Sequence, residues 1–318
     1  MKAAFLDFST VDLLGDLDLR RLRAGLPDLV VHDATPDDEV DARLEGLGIV
    51  LMNSVRLTRE RLAAHPSIRL VALTATGTNN VDLEAARELG IAVCNITDYC
   101  TRSVAQHVFA TLLALTHHLR DYDRALKAGA WEQPDARRIP NYPIRELAGL
   151  NLGLVGHGTL GRSVARVAEA FEMHVLIAAR PGEAPAPGRW PLAELLPLVD
   201  VLSLHCPITA ATRNLIGAAE LALMKPDAVL INTARGGLVD AAALAAAPPS
   251  RPSRSAAIDV LAEEPPVSGN PLLAPDLGSV IITPHTAWAA REARQRAIDE
   301  LAANVETFLA GGRRNRVV

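Results

Sequence analysis

A chain of 318 residues exceeds the roughly 100–200 residues that one ordinary core organises, so two domains are expected. Hydrophobic residues make up 49%, charged residues 22% and aromatic residues only 3%, a globular composition whose core must rest on Ala, Val, Leu and Ile. The net charge of −5, from 32 basic and 37 acidic residues, and the lack of a Lys/Arg block interleaved with aromatics argue against nucleic acid as a partner.

The opening MKAAFLDFSTVDLLGDLD places Asp7 and Asp12 where a signal peptide needs an unbroken apolar stretch. Over the first 98 residues short β-rich runs alternate with helical stretches, and KAAFLDF, LVVHDA, GIVLMN, RLVALTATG and IAVCNI each read as a buried parallel strand. A long helix follows, capped by Thr101 or Ser103, with Val104, Val108, Leu112, Leu115 and Leu119 at helical spacing. It carries His107, His117 and His118 and falls short of about 20 apolar residues, so it predicts a link between domains rather than a membrane span.

From Asn151 a second alternation begins, through LNLGLVG, HVLIAA, VLSLHC, AVLINTA, AAIDV and SVIITPH. Strand and helix repeating at this spacing predict a doubly wound parallel sheet. A last amphipathic helix, from about Ala289 to Ala310, can return to the first domain, and GGRRNRVV reads as an exposed end. The expected division is therefore 1–98 with 290–318 as one domain and 99–289 as the other. Cys94, Cys100 and Cys206 lack the paired spacing of a disulfide framework or zinc site, so reduced thiols in a cytoplasmic protein are expected. The proline-rich stretch 181–191 reads as a surface loop after a strand. A second, 247–255, falls where a helix starting near Asp240 should still be running, and its prolines would stop that helix.

The clearest local signal is Gly156-His157-Gly158-Thr159-Leu160-Gly161, between an apolar run and a helix pattern. In that context Gly156 permits the tight turn, Gly158 admits a pyrophosphate and Gly161 allows helix-on-strand packing, which predicts dinucleotide binding over a merely structural turn. An NAD site places a carboxylate at the end of the next strand, whereas HVLIAA ends in Ala178, Ala179 and Arg180. A guanidinium in place of a carboxylate favours NADP(H) over NAD(H), the alternatives being that Arg180 is a solvated strand-end residue or stacks on adenine. Further on, Arg235 in INTARGG offers a planar fork suited to a carboxylate. Glu264 in DVLAEEP and His285 in TPHTAW likewise follow β runs. A histidine held against a carboxylate makes a competent proton donor. Singly, Glu264 or His285 reads as structural; with Arg235, as an ordered trio, they predict catalysis.

Together, ATGTNNVDL, SVAQHVFATLLAL, IRELAG, GHGTLG, VLSLHCPIT, ALMKPDAVLINTARGGLVD, AIDVLAEEPP and TPHTAW resemble the D-isomer-specific 2-hydroxyacid dehydrogenases over essentially the full length. Within that family the likeness is to the branch acting on D-glycerate and hydroxypyruvate. The resemblance implies an α/β fold of two doubly wound parallel-sheet domains, a Rossmann-type cofactor domain and a flavodoxin-like substrate domain with a cleft between them. It implies that Arg235 holds the substrate, that His285 protonates the carbonyl and that Glu264 orients His285. Cofactor contacts are implied at the glycine turn, His205, Cys206, Pro207, Thr212, Thr233, Ala234, Asp259 and Ala287, with Asp259 on the nicotinamide amide. Substrate contacts are implied at Asn53 and at the backbone amides of Thr76 and Gly77, and a homodimer through about 101–150. Asn53-Ser54 departs from the Asn-Lys of several relatives, which bears on substrate preference. Rival readings are a D-lactate-like or phosphoglycerate substrate, glyoxylate, or a dinucleotide-sensing corepressor-like protein without turnover.

Overall fold

The computed structural model describes residues 1–131, 141–183, 186–246, 255–275, 277 and 280–318. The stretch 247–254, with Pro248, Pro249 and Pro252, lies outside them. The chain divides into two compact units, Met1–Cys100 with Trp288–Val318, and Thr101–Ala287.

The first unit is a five-stranded parallel sheet of β1 (Ala3–Phe5), β2 (Val30–Val31), β3 (Ile49–Met52), β4 (Leu70–Leu73) and β5 (Ala92–Cys94). Their order is β2-β1-β3-β4-β5, the flavodoxin-like arrangement. Successive residues of one strand enter opposite cores: Leu6, Val50, Met52, Val71 and Leu73 pack on one side, Phe5, Ile49, Leu51, Leu70 and Ala72 on the other. Both faces being apolar is what a covered parallel sheet requires. The helix Arg291–Leu309 covers the second face with Ile298, Leu301, Ala302 and Val305. The buried Arg294 of that helix reaches back to Asp16 at 2.7 and 3.1 Å.

Several expectations are corrected here. KAAFLDF is not a strand throughout, because β1 ends at Phe5 and the buried Asp7 turns its carboxylate onto a neighbouring loop. LVVHDA yields only a two-residue strand, exposed at Val30, because β2 is the sheet edge. The tail is exposed over most of its length, as expected, and is also tied to β5: Val317 N donates to Val93 O at 2.8 Å, and Asn95 N to Asn315 O at 3.1 Å.

The second unit carries β6 (Asn151–Val155), β7 (His174–Ile177), β8 (Val201–Leu204), β9 (Val229–Asn232), β10 (Ser255–Ile258) and β11 (Val280–Ile282). All pair in parallel in the order β11-β10-β9-β8-β6-β7, and an isolated bridge from Ala178 to Trp190 extends the β7 edge by one residue pair. Chain direction across the sheet reverses between β6 and β8, the switch point where doubly wound sheets bind ligands. The helix Thr101–Thr116 lays Val108, Leu112 and Leu115 against Leu152, Val201 and Ile231. Leu119 does not continue its apolar face. The chain turns at His118, whose φ is 50°, and Leu119 opens a second helix, Leu119–Lys127, and is itself exposed. Among the described residues no helix is long and apolar enough to cross a membrane.

Candidate active site

At the switch point, Gly156 has φ 98°, and a Cβ there would lie 2.5 Å from His205 O and 2.9 Å from Cys206 N. Only glycine lets the ends of β6 and β8 approach so closely. A Cβ on Gly161 would meet Gly156 O at 2.2 Å, whereas a Cβ on Gly158 would have nothing within 4 Å. Gly158 is the N-cap of the 12-residue helix Thr159–Ala170, and no side chain caps it. Its first-turn amides, with exposed Thr159 and half-buried Leu160, leave a positive helix end free for an anion. Burial pushes the His157 imidazole below its ordinary value, with Arg189 and Arg162 adding to the effect.

Two buried side-chain atoms that have no hydrogen-bond partner among the described residues, His205 Nδ1 and Thr233 Oγ1, stand at the carboxyl ends of β8 and β9. Orphaned polar atoms, the open side of Gly158 and the uncapped helix together fit a dinucleotide. The other ring nitrogen of His205 contacts Ser203 Oγ at 2.9 Å, and burial holds this imidazole down to about 4. Burial also raises the Cys206 thiol. Thr212 closes the loop behind them by donating to Pro207 O at 2.8 Å. At the end of β7, Ala179 N is tied to Trp190 O at 2.7 Å, leaving Arg180 with its side chain 84% exposed and Glu183 at 3.6 Å.

Arg235, Glu264 and His285 follow β9, β10 and β11, three strands that lie side by side. The Arg235 loop is shaped by the fully buried Asn232, whose side chain donates to Arg235 O at 2.9 Å and accepts from Ala234 N at 3.1 Å. A Cβ on Gly236 would fall 2.0 Å from Leu261 C, so that glycine brings the loop against the one bearing Glu264. Leu261 N holds Glu264 Oε1 at 2.7 Å, and Glu264 Oε2 meets His285 Nδ1 at 2.6 Å.

His285 itself has φ 53°, a left-handed backbone uncommon outside glycine. Asp259, 2% exposed, fixes the loop around it. Its Oδ1 accepts from Thr283 Oγ1 at 2.5 Å and Thr286 N at 2.9 Å, and its Oδ2 from the buried Ala287 N at 3.0 Å. The carboxylate that the resemblance assigns to the nicotinamide amide thus also organises the histidine loop.

In the first unit, Asp7 plays a comparable part that the sequence reading missed. Its carboxylate accepts from Asn53 N at 2.8 Å, Ser54 N at 2.6 Å and Val55 N at 3.1 Å, while the Asn53 side chain donates to Thr10 Oγ1 at 3.1 Å. The loop of Thr76 and Gly77 is held from below, Thr76 Oγ1 donating to Ile96 O and Asn95 Nδ2 to Thr76 O, each at 2.8 Å. A charged residue interrupting FLDF was the only signal for Asp7. Nothing local marked Asn232.

The depressed His205 value has a thermodynamic consequence. Between about 6.5 and about 4 the unfolded chain takes a proton there that the folded chain refuses, so stability falls as pH falls through that window. Urea midpoints measured at pH 7 and pH 5 are expected to drop further for the natural chain than for His205→Gln. Equal drops would contradict the assignment.

Comparison with known proteins places this arrangement. Residues 109–287 match the family described as "D-isomer specific 2-hydroxyacid dehydrogenase, NAD binding domain". The chain is 42% identical to glycerate dehydrogenase of Methylorubrum extorquens over 283 residues, 89% of each protein. It is 36% identical to hydroxypyruvate reductase of Blautia hydrogenotrophica, covering 93% of this chain and 94% of that one. Among solved structures, an acyclic imino acid reductase (Bsp5) in complex with NADPH and D-Arg superposes with a TM-score of 0.84 at 29% identity over all of both chains. With its parallel sheets, glycine turn and ordered Arg-Glu-His trio, the chain belongs to the D-isomer-specific 2-hydroxyacid dehydrogenase family, enzymes that move a hydride between a nicotinamide dinucleotide and a small 2-oxoacid.

Proposed function

We propose that the chain reduces hydroxypyruvate to D-glycerate, and glyoxylate to glycolate, with NADPH favoured over NADH. The observation that carries the reading is the 2.6 Å contact of Glu264 with His285 Nδ1 beside the strand end that bears Arg235. A proton shared with Glu264 at Nδ1 leaves Nε2 as the edge that meets substrate. When bound, the reduced nicotinamide supplies the hydride. His285 delivers the Nε2 proton to the carbonyl oxygen, and Glu264, anchored by Leu261 N, fixes the ring. Arg235 uses one Nη1 hydrogen on Ala234 O at 2.7 Å and keeps further donors for the substrate's carboxylate and carbonyl. The amides of Thr76 and Gly77, with Asn53, are assigned to the substrate carboxylate on the same reading.

The dinucleotide would be held by Gly156 to Gly161, by His205, Cys206, Pro207 and Thr212, by Thr233, Ala234, Asp259 and Ala287, and by Arg180 at the adenosine end. Support for hydroxypyruvate comes from the names of the two relatives. Support for NADPH comes from the exposed Arg180 after two alanines, and from the NADPH carried by the imino acid reductase. The dimer is proposed through the segment around Leu119, Trp131 and Ile144, all exposed.

Reduced-nicotinamide absorbance should fall rapidly with hydroxypyruvate, and His285→Ala should lower kcat by about 10²–10⁴-fold. Arg180→Ala should lower kcat/KM for NADPH by about ten- to a hundredfold while sparing NADH. Tight cofactor binding without turnover would instead favour other 2-oxoacids or the sensor reading. The two inner glycines should separate: Gly158→Ala keeps Tm but weakens NADPH binding measured by fluorescence, whereas Gly161→Ala lowers Tm. Identical behaviour would remove the phosphate role from Gly158. Light scattering should give twice the chain mass of 33.9 kDa, and a monomer would end the dimer proposal.

A further inference from the structure

The helix Thr101–Thr116 presents Ser103 and His107 four residues apart, hence on one face. Both touch the loop that bears His285. Ser103 Oγ donates to Ala287 O at 2.6 Å, at the loop's far end. At its near end His107 Nε2 lies 3.2 Å from Thr283 Oγ1 and 3.8 Å from Asp259 Oδ1. The single hydroxyl hydrogen of Thr283 is already given to Asp259 Oδ1 at 2.5 Å, so Thr283 can only accept from the imidazole. His107 must therefore carry a hydrogen on Nε2.

We infer that His107, assisted by Ser103, is a positioning residue for proton transfer: its Nε2–H donates to Thr283 Oγ1, which in turn donates to Asp259, and this chain of hydrogen bonds holds the Thr283–Ala287 loop so that His285 keeps its left-handed backbone and its contact with Glu264. His107 is half-buried, and no part of the proposed reaction needs it to touch substrate. What it supplies is directional. A hydroxyl that donates to one partner and accepts from another is fixed from two directions, whereas Thr283 bonded to Asp259 alone would be fixed from one. Shifting the histidine by about 1 Å costs rate rather than cofactor affinity.

This inference rests on the reductase reading, so its test has an arm independent of turnover. In the full chain labelled with ¹⁵N-histidine, long-range ¹H–¹⁵N correlation should show His107 Nε2 protonated, and Thr283→Val should move that signal. Kinetically, His107→Leu should lower kcat with hydroxypyruvate about tenfold or more while leaving the NADPH KM within about twofold. His107→Gln, which keeps a donor at similar reach, should recover most of the loss. A bare Nε2 overturns the inference. So does full kcat in His107→Leu, or equal losses in the Leu and Gln variants that track Tm. If the natural chain turns over no 2-oxoacid, the functional reading fails while the nitrogen spectra still decide this one.

Discussion

The order of the loop that bears His285 depends on one buried carboxylate. Asp259 is nearly inaccessible, and a carboxylate withdrawn from water is tolerated only when its oxygens are hydrogen-bonded. Here the donors come from the loop that must be shaped: the Thr283 hydroxyl and the amides of Thr286 and Ala287. Desolvation cost and loop order are thus the same event. The left-handed backbone of His285, worth roughly 1–3 kcal/mol of strain, is sustained because residues on both sides are tied to Asp259 and because His285 N bonds Asp259 O at 2.7 Å. Loosening the carboxylate would release the histidine.

The first unit repeats the device at the carboxyl end of its own sheet. Asp7 leaves β1 and gathers the amides after β3, just as Asp259 leaves β10 and gathers the loop after β11. In both sheets a short acid on one strand end shapes the loop of an adjacent strand. Parallel sheets favour this arrangement because every strand ends on the same edge, where the last backbone groups lose their ladder partners.

Much of this was legible in the residues. Short, nearly continuous apolar runs located nearly every strand, since both faces of each sheet are buried and leave few polar residues in the runs. The glycine turn and the Arg-Glu-His order were readable because their chemistry is written in local spacing. Failures fall where a partner lies far along the chain. The length of β1 was overestimated because Asp7 satisfies a loop some 46 residues away, and the tail, though exposed as expected, gave no sign of its pairing with the backbone of β5. Asn232 and His107 carry no local signature: an asparagine ending a strand and a histidine on a helix acquire meaning only from what the fold places beside them. Leu119 fitted a helical period but sits beyond a left-handed residue that no periodicity announces.

The conformation of residue 285 also constrains what evolution or a designer can place there. Side chains that tolerate positive φ are few, with Gly, Asn, Asp and His prominent among them, and β-branched residues are nearly excluded. Of that short set, glycine and asparagine carry no usable proton, and aspartate would set a second negative charge against Glu264. The backbone therefore acts as a filter ahead of chemistry: even before any demand for turnover, the loop favours a short set of residues at this position, and histidine is the member of that set that can give up a proton beside Glu264 without adding a negative charge.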